Sequence, residues 1–407
     1  MSVKNKFPRN RRGDLHGTVI LHYQSGEVKQ KIPYRFGSIE GVQTSFDKEG
    51  RVVSEEPYAA GKLNGVVKMY EKGQIRLEQE YKENEPHGNL RVYNKNKELT
   101  HKMSFVHGEP KGEAWMKVGD DGEQKFHFSK GELSGPYVQK REGKVQTKAH
   151  FEKGKLQGLL TQYDRQGDQI VEAFFDQGKM HGTARVFQSG ELIVEAEMDH
   201  GEASHIVQYR QGDKVAEIPL KDGQPHGMLR SFDSSGNIQA EVPMREGKIH
   251  GLMKGYMEGI LRLEQEYEND YRHGKQVAYY EDGTLAQEAS FKKDKFHGQK
   301  IMYSMQGDLM VEEKYENGKK VDTARQYYPS GDPMEETKYY QGTRHGRAVK
   351  YHPGGKKKEQ QYYEEGQPKG PKAEYSRRGR MKTLNYLRKE ASEYWSIAKD
   401  RIQSFFR

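Results

Sequence analysis

Glycines recur along this chain at a nearly constant interval, and that interval restricts the fold more than any other feature. The second residue of each His-Gly or similar pair serves as the anchor of a repeat. The anchors fall at positions 17, 41, 65, 88, 112, 135, 158, 182, 205, 227, 251, 274, 298, 322, 346 and 370. All fifteen intervals are 22, 23 or 24 residues. Such a period indicates a repeat architecture in which each repeat is one supersecondary unit.

Two positions in each repeat predict special backbone geometry. The anchor is Gly in fourteen of sixteen repeats, and His205 and Asp322 are the exceptions. Four residues earlier, another Gly occurs in thirteen repeats, and Asn84, Asp270 and Asp294 replace it in the others. Asn, Asp and His are the non-glycine residues that best tolerate positive φ. Both positions are therefore predicted to be left-handed turn positions.

The residues between the turns have a strand-like pattern. An aromatic residue stands five positions after the anchor in twelve repeats, and a third Gly follows the anchor by seven to ten residues. After this third Gly, apolar or aromatic residues recur at two and eight positions, as in Ile75 and Tyr81, and Glu recurs at five, as in Glu78. Because alternate residues of a strand point to opposite faces, the pattern predicts Ile75 and Tyr81 on one face and Glu78 on the other.

A cation is also periodic. Lys or Arg recurs three positions after the anchor, as in Lys68 and Arg325. Pairing with the recurrent Glu across neighbouring strands would contribute roughly 0.2–1 kcal/mol per pair and hold the register. The alternative is a charged face that is merely solvated, and the pattern leaves both interpretations open.

Together these features predict an all-β, elongated, single-layer solenoid of stacked β-hairpins. Two strands per repeat, at ~4.8 Å per strand, would extend sixteen repeats over about 150 Å. Residues 1–12 form a basic N-terminal arm in this interpretation, residues 13–380 form about sixteen repeats, and residues 381–407 form a C-terminal amphipathic helix.

The repeat resembles the MORN family, in its bacterial variant form. That form reads Gly-Lys-x-His-Gly, four residues, Tyr, a turn Gly, then Leu and Glu. It is similar to Gly178–Gly182 with Phe187, and to Gly247–Gly251 with Tyr256. The resemblance covers roughly residues 13–380. It implies stacked hairpins that act as a scaffold, and for the eukaryotic branch also phospholipid contact.

Composition excludes several classes of protein. The apolar content of 33% and charged content of 31% suggest disorder, but 26 Tyr, 15 Phe and regularly spaced Gly argue against it. The absence of Cys excludes disulfides and thiolate sites. No apolar run approaches the ~18 residues of a membrane span, and the N-terminus lacks a secretory signal pattern. We therefore expect a cytoplasmic protein.

Charge is unevenly distributed. Residues 340–407 hold 17 Lys/Arg against 7 Asp/Glu, a net charge of +10, and residues 1–12 add +5. Since the whole chain carries +8, residues 13–339 carry −7. An acidic body argues against nucleic acid as a partner, because nucleic-acid binding requires a basic patch.

The eight His-Gly pairs whose Gly is an anchor raise the question of a metal. Equivalent histidines of adjacent repeats would lie ~9–10 Å apart, which is too far to share one ion. A structural role, in which His fixes its turn by hydrogen bonding, is favoured, and no metal or cofactor is expected. The chain also has no phosphate loop, nucleophile elbow or His-Glu-x-x-His motif, so we expect no catalytic residues. The histidines of the eight anchor His-Gly pairs are His16, His87, His181, His226, His250, His273, His297 and His345.

The C-terminal segment differs from the repeats. Apolar residues there are spaced by three and four, which is typical of a one-faced helix. That face contains Leu384, Leu387, Tyr394, Trp395, Ile402, Phe405 and Phe406. A basic hinge of Arg377, Arg378, Arg380 and Lys382 is predicted before it. The helix would cap the last repeat, bind a partner or another copy of the chain, or lie on an anionic membrane.

These observations favour a non-enzymatic scaffold. The partner would be a protein, or the C-terminal helix of the same or a neighbouring copy, bound along an aromatic-rich groove. The candidate binding residues are Tyr256, Tyr279, Tyr303, Tyr327 and Tyr351. The alternative is a peripheral membrane protein that binds anionic phospholipid through its basic C-terminal end.

Overall fold

The structure is a computed structural model that describes residues 7–382. The chain divides after Ala203 into two units, each of which is all β, and no helix occurs between residues 7 and 382. The predicted amphipathic helix lies outside the described residues, apart from its first two positions.

The first unit is one open antiparallel sheet in which consecutive long strands pair as a meander. Its strands are β1 Gly17–His22, β2 Val28–Arg35, β3 Ser38–Ile39, β4 Gly41–Phe46, β5 Val52–Ala59, β6 Lys62–Leu63, β7 Gly65–Glu71, β8 Gln74–Lys82, β9 Glu85–Tyr93, β10 Leu99–Val106, β11 Glu109–Pro110, β12 Gly112–Val118, β13 Gly122–Ser129, β14 Glu132–Leu133, β15 Gly135–Arg141, β16 Lys144–Glu152, β17 Lys155–Leu156, β18 Gly158–Tyr163, β19 Gln169–Asp176, β20 Lys179–Gln188 and β21 Glu191–Asp199.

The second unit repeats this arrangement. Its strands are β22 Glu202–Arg210, which begins just before the division, β23 Asp213–Lys221, β24 Gln224–Pro225, β25 Gly227–Phe232, β26 Ile238–Arg245, β27 Lys248–Ile249, β28 Gly251–Met257, β29 Ile260–Glu268, β30 Tyr271–Tyr279, β31 Leu285–Lys292, β32 Lys295–Tyr303, β33 Leu309–Glu316, β34 Lys319–Tyr327, β35 Pro333–Tyr340, β36 Thr343–Tyr351, β37 Lys357–Glu364 and β38 Gln367–Glu374. The predicted stacking of hairpins is confirmed within each unit.

The turns before the anchors are two-residue turns with both residues at positive φ, such as Glu246 at 51° and Gly247 at 75°. Two positive φ values are what a type I′ hairpin turn requires, and its twist matches that of the flanking strands. The anchor glycines also have positive φ, for example 119° at Gly251. The sequence prediction of left-handed positions is confirmed there.

Three of the non-glycine exceptions belong to these turns. Asn84, Asp270 and Asp294 have φ of 74°, 71° and 64°. Their side chains accept hydrogen bonds from the backbone N–H groups of Leu63, Ile249 and Arg272 in the preceding repeat, at 2.7, 2.7 and 2.9 Å. Each carboxylate or amide therefore links two repeats in addition to tolerating the turn.

The two exceptional anchors differ from each other. Asp322 has a φ of 64°, as predicted. His205 is not among the residues with positive φ, and it lies in strand β22 opposite Pro219. In the next repeat it is Met228, one residue after the anchor Gly227, that lies opposite the corresponding proline, Pro243. The prediction of positive φ at His205 was wrong. The interval from His205 to the next anchor is only 22 residues, so His205 occupies the strand position that follows an anchor in the next repeat.

The assignment of faces was also wrong in part. Directly opposite residues of an antiparallel pair point to the same face. Lys68 lies opposite Glu78, Tyr70 opposite Ile75, and Gly65 opposite Tyr81, with a register shift between Met69 and Tyr70. Ile75 therefore shares a face with Glu78, and Tyr81 lies on the other face. A β-bulge adds a residue between Ile75 and Tyr81 and reverses the alternation.

This register defines two surfaces of the sheet. The tyrosine–glutamate face carries Lys68, Tyr70, Glu78 and their counterparts in the other repeats. The packing face carries Val67, Tyr81 and their counterparts.

The packing face holds most of the buried apolar side chains, including Val67, Ala114, Ala173, Ala289 and Phe291. Small residues allow neighbouring aromatic rings to cover them. The core is thus a thin layer along one side of the sheet.

Candidate functional site

The five candidate tyrosines lie in one register on the tyrosine–glutamate face of the second unit. They occupy the C-terminal part of β28, β30, β32, β34 and β36, one in every second strand, and all are half-buried. Since the strand between two of them contributes Glu, the surface alternates phenol and carboxylate. The five are Tyr256, Tyr279, Tyr303, Tyr327 and Tyr351.

Most of these phenols are hydrogen-bonded. The hydroxyl groups of four of them each donate to the Glu that stands fifteen residues earlier. Tyr256 donates to Glu241 at 3.0 Å, Tyr279 to Glu264 at 2.8 Å, Tyr327 to Glu312 at 2.7 Å, and Tyr351 to Glu336 at 2.7 Å. Tyr70 and Tyr93 make the same bond in the first unit, at 2.7 and 2.9 Å. Sequence reasoning missed this pairing, although the constant spacing of fifteen residues is a signal that could have revealed it.

Lys and Arg side chains lie beside the Glu carboxylates on the tyrosine–glutamate face. Arg325 lies between two carboxylates, with Nη1 3.6 Å from Glu312 Oε2 and Nε 3.5 Å from Glu336 Oε1. Arg185 in the first unit lies 2.9 Å from Glu172 and 2.7 Å from Glu195. The paired interpretation of the periodic Lys and Arg is therefore confirmed at these positions. These side chains are partly exposed, so each pair contributes only about 0.2–1 kcal/mol.

The cation is absent from five repeats of the second unit. Four of them carry a β-branched residue at its register position, opposite a Glu of a neighbouring strand: Val207, Val277, Ile301 and Val349. In the fifth, Ala373 lies opposite Gln360. Val349 is 1% exposed. The face therefore alternates charged and apolar patches between its tyrosines.

These contacts shift proton affinities. Burial, followed by the hydrogen bond to Glu312, raises the pKa of Tyr327 to about 12. Burial and Glu336 likewise raise the pKa of Tyr351 to about 12. In the opposite direction, the hydrogen bond from Tyr256 and then that from Arg230 hold the pKa of Glu241 below its usual value, against the opposing effect of burial. The phenols thus remain neutral donors and this carboxylate remains an ionised acceptor.

A shallow depression of ≈ 230 Å³ opens on this face. Ile301, Glu312, Thr323 and Arg325 are among its lining residues. Tyr303 and Tyr327 lie two residues from Ile301 and Arg325 on the same strands, so the depression is adjacent to two of the candidate tyrosines. It offers an apolar wall, a carboxylate and a guanidinium within one recess.

The packing face of the second unit carries a row of aromatic rings and cations that sequence reasoning did not identify. The rings of Phe291 and Phe296 are 4.5 Å apart, and those of Phe296 and Tyr315 are 5.1 Å apart. Arg272 lies over Phe291 at 4.5 Å, and Lys320 lies 5.4 Å from the ring of Tyr339. Such contacts stabilise by roughly 0.5–1 kcal/mol at exposed sites. Their sequence signal is a cation or aromatic residue two positions before the anchor.

The histidines of the His-Gly pairs do not behave alike. Nδ1 of His297 accepts a long hydrogen bond from the N–H of Asn317 at 3.4 Å, and His345 accepts one from Glu365 at 3.5 Å. Nδ1 of His87 and of His250 is buried and has no hydrogen-bond partner among residues 7–382. The predicted turn-fixing bond is thus present in some repeats only.

The predicted basic hinge lies on a closed turn. Ser376 N donates to Arg380 O at 2.8 Å, and Tyr375 pairs with Met381 across the turn. Arg377, Arg378, Arg380 and Lys382 are all exposed on it. A hinge role for these residues stays a prediction. The helix residues Leu384, Leu387, Tyr394, Trp395, Ile402, Phe405 and Phe406 lie outside the part of the chain that the structure describes.

The MORN repeat variant family matches the chain at three places, residues 15–35, 272–293 and 344–365. The chain contains MORN repeat variants. Each matched segment spans two strands and the glycine turn between them, so the match falls on the structural repeat unit. The resemblance seen in the sequence is confirmed at these three places.

Curated protein sequences and solved structures give no further support for the family assignment. No curated protein sequence matches the chain. Among solved structures, the TcdB2–TccC3–Cdc42 crystal structure is similar at 10% identity and a TM-score of 0.16, and a mutant Tc holotoxin pore of Photorhabdus luminescens at 11% and 0.14. Each comparison covers 91% of this chain, which spans only 23% and 25% of those chains. Scores this low do not establish a shared fold.

One finding concerns membranes. Between residues 7 and 382 there is no helix long and apolar enough to cross a bilayer.

Proposed function

We propose that this chain is a non-enzymatic MORN-type scaffold that holds a protein partner on the tyrosine–glutamate face of its second unit. The partner is a separate protein or the C-terminal segment of the same or a neighbouring copy. The observation that carries the proposal is the single register of five half-buried tyrosines beside a recess lined by Ile301, Glu312 and Arg325.

The chemistry of this face suits a protein surface. Aromatic residues and Arg are enriched where protein partners bind, because they combine apolar area with a polar group. Here the phenols are fixed by Glu, so little side-chain freedom remains to be lost on binding. The Glu and Arg groups alternate in sign, which favours a partner with mixed charge over a polyanion.

A second candidate rests on the exposed basic turn of Arg377, Arg378 and Arg380. Three guanidinium groups on one exposed turn would attract anionic phospholipid, and each contributes about 1 kcal/mol near a charged membrane. In this case the repeats would act as a spacer or scaffold at the membrane surface.

A comparison of variants of the full chain separates these proposals. We expect proteins that cross-link to wild type at β32–β35 to be lost from a Tyr303→Ser, Arg325→Gln variant. The control is Tyr70→Ser, Arg91→Gln, at the same register in the first unit, and it should retain them. If self-association is observed instead, and deletion of residues 383–407 abolishes it, the partner is the C-terminal segment of another copy.

Vesicles containing anionic phosphatidylserine test the alternative. Sedimentation with the vesicles that is weakened by salt and lost in Arg377→Gln, Arg378→Gln, Arg380→Gln would support membrane binding. Equal cross-linking by wild type and both face variants would contradict the protein-scaffold proposal.

A further inference from the structure

Three potential metal ligands converge at the end of one hairpin in the first unit. His181 lies in strand β20, Asp199 is the last residue of β21, and His200 is the first residue of the two-residue turn that follows. The turn is held against β20 because Gly201 N donates to Met180 O at 2.7 Å. Backbone contacts therefore fix the relative positions of the three residues.

The distances within this trio are short. Asp199 Oδ1 lies 2.6 Å from His200 Nδ1 and 3.3 Å from His181 Nδ1. The two imidazole rings are 4.7 Å apart. One ligand atom from each residue lies within 4.8 Å of the other two, and no other three His, Asp or Glu side chains between residues 7 and 382 meet this condition. All three side chains are exposed, so an ion from solution can reach them.

The geometry differs from the one considered for the histidine row. Equivalent histidines of neighbouring repeats are separated by two strands, and that separation excludes a shared ion. His181 and His200 are not equivalent, because one precedes an anchor and the other begins the next turn. The strand pairing of β20 with β21 brings them together.

We propose that His181, Asp199 and His200 bind one divalent transition-metal ion of the zinc type. Two imidazole nitrogens and one carboxylate oxygen form the donor set, and at least one coordination position is open to water or to a partner's side chain. Nitrogen-rich sets of this kind select Zn²⁺ over Mg²⁺, which prefers oxygen ligands. Metal binding here is independent of the scaffold proposal, since it involves another unit and other residues.

The first unit contains a matched control. His87 and His107 occupy the same two positions four repeats earlier, with ring centroids 5.6 Å apart. The nearby carboxylate there is Glu85, whose Oε2 lies 3.6 Å from His107 Nδ1. These residues do not form a three-ligand group. His107 also has a φ of 49°, close to the 47° of His200.

Isothermal titration of the tag-free full chain with Zn²⁺ tests the proposal. We expect one saturable site that excess Mg²⁺ does not displace. Loss of a group that only hydrogen-bonds to a metal ligand weakens metal binding by roughly 10–100-fold, and loss of a ligand itself should matter at least as much. His181→Gln, Asp199→Asn and His200→Asn should therefore each weaken Zn²⁺ binding roughly tenfold or more. Asn is chosen at position 200 because it tolerates positive φ.

The variants His87→Gln and His107→Asn should bind Zn²⁺ like wild type. Circular dichroism and thermal midpoints without metal identify any variant that fails to fold. If a histidine variant fails to fold, the Zn²⁺ affinity of Asp199→Asn, a nearly isosteric change, decides whether the trio binds the ion. Absence of a saturable site, or equal losses in the trio and control variants, would overturn the proposal.

Discussion

At the scale of single residues, the anchor glycines are fixed by backbone geometry and by space. Gly251 has a φ of 119°, and a Cβ built there would lie 3.2 Å from Pro243 Cγ. The backbone N–H of His250 beside it donates to Pro243 O at 2.9 Å. The ring Nδ1 of His250 makes no hydrogen bond within the part of the chain that the structure describes. The backbone at this pair therefore contributes more to stability than the imidazole.

This difference predicts that Gly251→Val destabilises the second unit more than His250→Ala. Positive φ at a β-branched residue costs about 1–3 kcal/mol, and the contact with Pro243 adds to it. Chemical denaturation measures both losses. Gly255→Ala is the control, because Gly255 has no positive φ and its Cβ would meet Leu263 at an ordinary 3.6 Å. Equal destabilisation by Gly251→Val and His250→Ala would show that the side chain of His250 governs the turn.

The sequence predicted these glycine positions because positive φ leaves few residue choices. It failed at His205, where one missing residue changes the register, and register depends on pairing with another strand. The trio of His181, Asp199 and His200 was missed for the same reason, since its members come together only when β20 pairs with β21.

At the scale of strands, the tyrosine–glutamate hydrogen bonds make the fold sensitive to alkaline pH. The pKa of Tyr70, Tyr327 and Tyr351 is raised from 10.0 to about 12 by burial, and next by the neighbouring carboxylates. Below pH 10 the phenols are protonated in both the folded and unfolded chains, so their contribution to stability is complete. Between pH 10 and about 12 only the unfolded chain ionises, so the free energy of unfolding falls.

We expect unfolding free energy, measured by denaturant titration, to decline from pH 10 upward. Tyr327→Phe should be less stable below pH 10, by about 1.5–3 kcal/mol for a hydrogen bond to a charged group, and should show a shallower decline. The ultraviolet absorbance of phenolate provides the second measurement. If all tyrosines of the folded protein ionised near pH 10, the hydrogen bonds to Glu would not govern their proton affinity.

The sequence pattern was sufficient for strands and turns, because each depends on neighbours in the chain or in the next repeat. It left open whether the periodic Lys and Arg pair with Glu or are merely solvated. It was insufficient for the faces, since the β-bulge at Arg76, opposite Met69 and Tyr70, lies between Ile75 and Tyr81 and puts them on opposite faces. The five candidate tyrosines do share one face, yet the sequence analysis did not predict that four of them donate to Glu.

At the scale of the whole molecule, every long strand of a unit pairs with its sequence neighbours, as β28 does with β26 and β29. Repeat arrays of this type gain stability from each repeat and from the interface with the next one. A local defect should therefore open nearby strands without unfolding distant ones.

Hydrogen exchange followed by mass spectrometry tests this locality. In Gly251→Val, amides of β26–β29 should exchange faster, because the strained anchor weakens the pairing on both sides of β28. Amides of β7–β10 in the first unit should keep their wild-type rates, since more than six repeats separate them from the defect along the chain. The corresponding substitution Gly65→Val, whose Cβ would lie 3.0 Å from Pro57 Cγ, is the reciprocal control and should affect β5–β8 alone. Uniform acceleration across both units in either variant would mean that the 407 residues unfold as one cooperative body, and that nearest-neighbour pairing does not limit how far a disturbance spreads.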